Sequence, residues 1–355
     1  MTSSVDPFHW KELYVKIFFI AVVITSVLTP FIRWLAIKAG AVDFPSNIKI
    51  HSKPTPRLGG VGIFFGFLFS LILTGSLTHQ QKGLILGATC ALIVGILDDL
   101  RSVPAALKLL VLFSITIFLA HKGVLLNLVP GFFWINFVLT LFWIVGVTSA
   151  FNAIDHMDGL ATGLTFFASL AYAYVAVQNG QWSWGALSVA LMGSCIGFLF
   201  YNFPPASIFM GDAGSFFLGY SLAAISVMGA WSTNPFKAIA VPVFILGLPV
   251  FDLMYVVVRR KFHKMTKGIR QIVTFSAKDH FSHRLLALGM SQRQALFFTY
   301  FVMLALGMGA VAMRYVLKIE AIMLCVQFVT IAFLIVILME FAIRNKQQKN
   351  PDDFN

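Results

Sequence analysis

The acidic residues of this chain are few, and half of them gather where long apolar runs break. Asp98 and Asp99 close the run GLILGATCALIVGIL, so two carboxylates fall at a predicted helix C-terminus that already carries partial negative charge. That placement calls for a cation or proton nearby, and Arg101 on a solvated helix end would satisfy it as well as a bound metal. In NAIDHMDGLATG, Asp155 and Asp158 are three residues apart and share one face of a helix, with Asn152 a turn before Asp155. Ionisable groups inside a membrane are costly and usually face a water-filled cavity or a partner. Gly159 and Gly163 permit close approach of either a helix or a ligand. In NFPPASIFMGDAGS the Pro204-Pro205 pair interrupts any helix, and Asp212 lies near the start of the next one, where it either caps that helix or joins a phosphate site. Phe209 offers a face for stacking on a base.

Basic groups come from two other segments. HSKPTPRLGG carries His51, Lys53 and Arg57, and AKDHFSHRLL carries His280 and His283 at i, i+3 with Arg284 beside them. The second cluster suits diphosphate recognition better than zinc, since no third soft ligand recurs at a regular spacing. Carboxylates for a hard cation and cations for phosphate oxygens are the parts of Mg²⁺-assisted phosphoryl transfer, here from a soluble diphosphate to a lipid.

The elements that must position these groups are membrane helices. Of 355 residues, 59% are hydrophobic and only 11% charged, and the mean hydropathy is +0.86, far from a soluble domain. The fold class is all-α: a polytopic helical bundle of about eleven spans, near 13–37, 59–78, 84–98, 105–121, 134–151, 160–177, 184–201, 214–231, 237–258, 294–313 and 320–343. Two of these, 84–98 and 105–121, are short for a full crossing. The whole chain, 1–355, reads as a single membrane-embedded domain with a solvated tail over 344–355. The first polar stretch lacks the features of a cleaved signal peptide. Lys and Arg concentrate around Lys38, Lys49, Lys53 and Arg57, at Arg101, from Arg259 to Arg293, and after Arg344, which predicts an outside N-terminus and a cytoplasmic C-terminus. The seven acids Asp98, Asp99, Asp155, Asp158, Asp212, Asp252 and Asp279 then share the cytoplasmic face. The net charge of +12 lies beside spans rather than on a soluble basic domain, which argues against a nucleic-acid partner. Cys90, Cys195 and Cys325 sit in apolar runs without ligand spacing and read as packing residues.

HSKPTPRLGG, Asp98-Asp99, NAIDHMDGLA, NFPPASIFMGDAGS, the Pro249-Val250-Phe251-Asp252 turn and DHFSHRLLALGMSQRQA occur in the order seen in the polyprenyl-phosphate N-acetylhexosamine-1-phosphate transferases, a family this chain resembles over nearly its whole length. The resemblance implies transfer of a sugar-1-phosphate, N-acetylglucosamine-1-phosphate first of all, from a UDP-sugar to undecaprenyl or another polyprenyl phosphate, as a first membrane step of cell-envelope glycan synthesis. A phospho-MurNAc-pentapeptide transferase and a non-catalytic transporter of the lipid carrier are the alternatives. It implies Mg²⁺, with Mn²⁺ as a substitute, and as partners UDP-N-acetylhexosamine, polyprenyl phosphate and the lipid bilayer of the cytoplasmic (inner) membrane, with a homodimer as a candidate assembly. By position, Asp98 and Asp99 resemble the acidic pair beside the lipid phosphate, and Asp155 and Asp212 the contacts to Mg²⁺ and diphosphate, supported by Asn152. Asp158, Asn202 and Phe209 resemble the uridine pocket, and Lys53, His280, His283 and Arg284 the basic contacts. Two departures stand out: His156-Met157 replaces a usual Gly-Leu, and Ser282 replaces the middle histidine of a His-x-His-His motif.

Overall fold

A computed structural model describes residues 7–45, 53–122, 124–262 and 280–349. Lys49, His51, Asp279 and the basic residues Lys264, Lys267 and Arg270 lie outside them, as does the tail from 350 onward. The described chain is almost entirely helical: α1 (Pro7–Lys38), α2 (Gly59–Leu73), α3 (His79–Leu100), α4 (Ala105–His121), α5 (Phe133–Ile154), α6 (Leu160–Gln178), α7 (Trp182–Asn202), α8 (Gly211–Met228), α9 (Pro235–Ile245), α10 (Gly247–Phe262), α11 (Phe281–Ala287), α12 (Gln292–Ala312) and α13 (Lys318–Lys349). One antiparallel ribbon, β1 (Val42–Asp43) with β2 (Thr55–Pro56), adds a small exception to the all-helical expectation.

Every predicted span falls on a helix or, for 237–258, on a bent pair. Seven helices (α1, α3, α5, α6, α7, α12 and α13) are long and apolar enough to cross a bilayer, or eight if α9 and α10 form one broken span, while α2 and α4 are shorter apolar helices. The protein is a multi-pass membrane protein. The segment expected to be short, 84–98, is a 22-residue helix, because a capping box at Thr78 starts it earlier: Gln81 Oε1 accepts from Thr78 N at 2.6 Å, and the Thr78 hydroxyl accepts from Gln81 N. The single span expected over 237–258 is instead two helices at 76°, broken at Leu246 behind Pro242. The tail expected from residue 344 continues α13 as far as Lys349.

α8 is the central post. Every residue from Ala213 to Val227 is buried, as expected of a helix that is apolar on all sides. α3 and α5 pack along it, and α6 and α7 pair beside α1. At the bundle's periphery large apolar side chains point outward, Phe142 at 73% exposure and Phe200 at 69%, which in this chain means toward hydrocarbon.

Candidate active site

The acidic residues meet around the N-terminus of α8. Gly211 has φ +73°, and a Cβ there would lie 2.4 Å from Asp99 Oδ2, so only glycine allows the chain to turn into α8 at this spot. The turn aims two free backbone N–H groups at α3: Asp99 Oδ1 accepts from Asp212 N and Oδ2 from Ala213 N, both at 3.0 Å. The Asp99 side chain has no exposed surface. It serves as a cap supplied from another helix, with both of its oxygens on backbone N–H groups, directly beside the Asp98 carboxylate.

Asp98 is differently placed. Its Oδ1 accepts from Val103 N at 2.6 Å and its Oδ2 from the Lys108 ammonium. Lys108 also donates to Asp212 Oδ2 at 3.1 Å, so one lysine bridges the ends of α3 and α8. The other Asp212 oxygen accepts from Asn152 Nδ2 at 3.1 Å, and the same amide donates to Ser215 Oγ at 3.0 Å. Asp155 terminates α5, and no donor among the described residues reaches its carboxylate. Burial first, and then the Asp212 and Asp99 charges, push its carboxyl well above the ordinary range, with Arg57 opposing. An uncompensated carboxylate next to a second one fixed by an amide is a donor set that fits a hard divalent cation. Among the described residues no three His, Cys, Asp or Glu side chains form a ready-made cage, so such a cation would need further ligands from phosphate or water.

A second group of predicted residues builds the rim. The HSKPTPRLGG and NFPPASIFMGD segments are laced together by their backbones: Phe209 N donates to Pro56 O at 2.8 Å, Gly59 N to Phe209 O at 3.0 Å, and Gly60 N to Met210 O at 2.8 Å. The Phe209 ring is left half-buried beside them. Asp158 Oδ2 accepts from Ala206 N at 3.0 Å. Asn202 is buried, accepts from Gly159 N and the Thr162 hydroxyl, and donates to Ile208 O. It ties the loop between α7 and α8 to the start of α6. Lys53 is exposed on the same rim, and Arg57 pairs with Asp43 on the ribbon while its Nη1 lies 4.0 Å from Asp99 Oδ1. Gly159 and Gly163 serve packing: Tyr300 donates to Gly159 O at 2.6 Å, and a Cβ on Gly163 would overlap the Tyr300 ring.

The histidines form the facing wall. Asp252, buried in α10, accepts from His280 Nδ1 and from Phe281 N at 2.7 Å each, capping α11 and leaving His280 Nε2 for other use. His283 stacks on His156 with centroids 4.4 Å apart and planes 15° apart, and His280 lies 4.9 Å from the same ring. Burial, followed by these two neighbours, lowers the His156 imidazole well below its ordinary value, so it is neutral. Arg284 is 4% exposed, donates to Glu340 Oε1 at 2.8 Å and lies over the Tyr255 ring at 4.8 Å. That makes it a tie between α11, α10 and α13.

Sequence reasoning missed Lys108 and Ser215. Lys108 had a signal, being the lone Lys or Arg within the apolar segment 105–121, where an ionisable group marks a functional site. Ser215, one residue type among many in an apolar run, had none.

A multi-pass helical bundle with carboxylates, an amide and a lysine converging at one end defines a class of membrane enzyme. The model of glycosyl transferase family 4 matches residues 82–230, a stretch that runs from α3 through α8 and holds all of the acidic centre. The chain is 35% identical over 306 residues to the probable undecaprenyl-phosphate N-acetylglucosaminyl 1-phosphate transferase of Bacillus subtilis, covering 84% of each chain. It is 32% identical over 319 residues to the decaprenyl-phosphate N-acetylglucosaminephosphotransferase of Mycobacterium tuberculosis, covering 79% of this chain and 77% of that one. It is 33% identical over 225 residues to the phospho-N-acetylmuramoyl-pentapeptide-transferase of Heliobacterium modesticaldum, covering 57% and 69%. The chain belongs to glycosyl transferase family 4.

Proposed function

We propose that this protein transfers N-acetylglucosamine-1-phosphate from its UDP-sugar to a polyprenyl phosphate, releasing UMP, at the cytoplasmic face of the inner membrane. The observation that carries the proposal is the convergence of Asp98, Lys108, Asn152, Asp155 and Asp212 at the α8 N-terminus, within the stretch that matches the family model. The relatives named for N-acetylglucosamine transfer align with 84% and 79% of the chain, against 57% for the pentapeptide transferase, which favours the former substrate. A transporter of the lipid carrier would need charge along a path through both faces, whereas the buried charge here gathers at one end.

In the proposed reaction an oxygen of the lipid phosphate attacks the β-phosphorus of the donor, the bond from that phosphorus to the bridging oxygen breaks, and UMP departs. Asp98, whose side chain keeps some exposed surface where Asp99 has none, accepts a proton from the lipid phosphate once Lys108 turns from it to the incoming phosphate oxygens. Asp99 holds the α8 N-terminus in line, and Asn152 orients Asp212. Lys108, bridging Asp98 and Asp212 without substrate, is placed to pair with phosphate oxygens when they enter. Mg²⁺ held by Asp155 and Asp212 would supply charge neutralisation for the diphosphate. Phe209 and Asp158 line the rim proposed for uridine, with Lys53, His280 and His283 near the phosphates and sugar.

The test is UMP release by purified protein in lipid or detergent with a panel of UDP-sugars. Release is expected to require both polyprenyl phosphate and Mg²⁺, to stop with EDTA and to return with Mg²⁺ or Mn²⁺. Asp212→Asn is expected to lower kcat about 100-fold or more. Undiminished release by that variant, or none from the parent with any donor in the panel, would overturn the proposal.

A further inference from the structure

The two places where this sequence departs from the transferase pattern touch each other. His156 lies in the turn between α5 and α6, next to Asp155, and Ser282 lies in the first turn of α11, 126 residues later. His156 Nδ1 is 3.1 Å from the Ala153 carbonyl, an acceptor, so Nδ1 carries the ring proton and donates it there. Nε2 is then an acceptor, and the Ser282 hydroxyl is its donor. Ser282 is 2% exposed, so a competing bond to bulk water is not open to it. His283 stacks on the same ring, and His280 is tilted 35° to it with centroids 4.9 Å apart. Where the usual pattern has glycine at 156 and histidine at 282, this chain carries its third imidazole on the carboxylate-bearing turn instead of on α11.

We infer that His156 is a positioning residue for donor binding: through its bond to Ser282 and its stack on His283 it fixes the histidine wall at a set distance from the Asp155 turn, replacing the imidazole that residue 282 lacks. The inference rests on the proposed reading of His280 and His283 as donor contacts. Two further ties on α11, from Asp252 to its first turn and from Glu340 to Arg284, run to α10 and α13 rather than to the α5–α6 turn. His156 and Ser282 supply that link.

The experiment is a double-mutant cycle read as KM against kcat for the UDP-sugar. Each of His156→Ala and Ser282→Ala is expected to raise donor KM about tenfold with kcat reduced less than about threefold, and the pair together to do no worse than the first alone. The KM for polyprenyl phosphate is expected to stay where it was. The exchange His156→Gly with Ser282→His, which returns the imidazole to α11, is expected to recover donor KM to within about threefold of the parent, while each half alone does not. Additive effects in the cycle, or an exchange variant no better than its halves, would overturn the inference. Should His156→Ala fail to fold by size-exclusion chromatography, Ser282→Ala decides the matter, because an unchanged donor KM there overturns the inference by itself. A parent that releases no UMP refutes the transferase reading, whereas an active parent with an additive cycle refutes only the coupling.

Discussion

Adjacent aspartates with one expected role make different contacts. Asp99 has both oxygens on backbone N–H groups and no exposed surface, while Asp98 is held by one backbone N–H and by a lysine that also serves Asp212. Replacing Asp98 with Asn keeps the shape and removes the proton acceptor, so Asp98→Asn is expected to lower kcat about 100-fold with the melting temperature unchanged. Asp99→Asn turns one of the two acceptors into a donor facing another donor. It is expected to cost about 1–2 kcal/mol of stability, the range of a lost helix cap, with activity falling because α8 shifts. Thermal unfolding and UMP release measured on the same preparations separate the two. Equal stability losses in both variants would contradict the division of labour.

At the scale of helices, the centre depends on how closely α3 approaches α8. A Cβ on Gly95 would stand 2.3 Å from the Asp212 carbonyl oxygen and 2.4 Å from Ala213 Cα, so the backbones touch one turn before the aspartate pair. Gly95→Ala is therefore expected to force the helices apart at a cost of about 1–3 kcal/mol and to lower activity as the Asp99 cap and the Lys108 bridge lengthen. A normal melting temperature with normal turnover would show that the contact relaxes freely. The sequence announced the helices through their apolar length and announced Asp98, Asp155 and Asp212 through the expense of charge in a membrane. It could not announce the cap, because an aspartate that satisfies a helix over one hundred residues away leaves no local spacing to read. Nor do the partners of Asn202 and Arg284, Gly159 and Glu340, show in the local sequence, since each lies tens of residues away. The bend at Leu246 escaped because an apolar run keeps its hydropathy through a break.

For the whole molecule, the distribution of cations carries the orientation. The acidic end holds Lys53, Arg57, Arg101, Arg259, Arg260, Lys261 and Arg293. The opposite end is not free of cations, but two of those present bond to backbone carbonyls: Lys237 donates to Val316 O in the turn before α13, and Arg314 to Gln178 O at 3.1 Å at the C-terminus of α6, which favours positive charge. The positive-inside rule places the end richer in Lys and Arg in the cytoplasm. The acidic end is therefore expected in the cytoplasm, where UDP-sugars are made. With Cys90, Cys195 and Cys325 first replaced by serine, Ser102→Cys reports the acidic end and Thr233→Cys the other, both being exposed positions. A membrane-impermeant maleimide is expected to label Thr233→Cys in intact spheroplasts and Ser102→Cys only in inverted vesicles. The reverse pattern would put the carboxylates outside, away from any nucleotide sugar, and would exclude the proposed reaction whatever the geometry of the site.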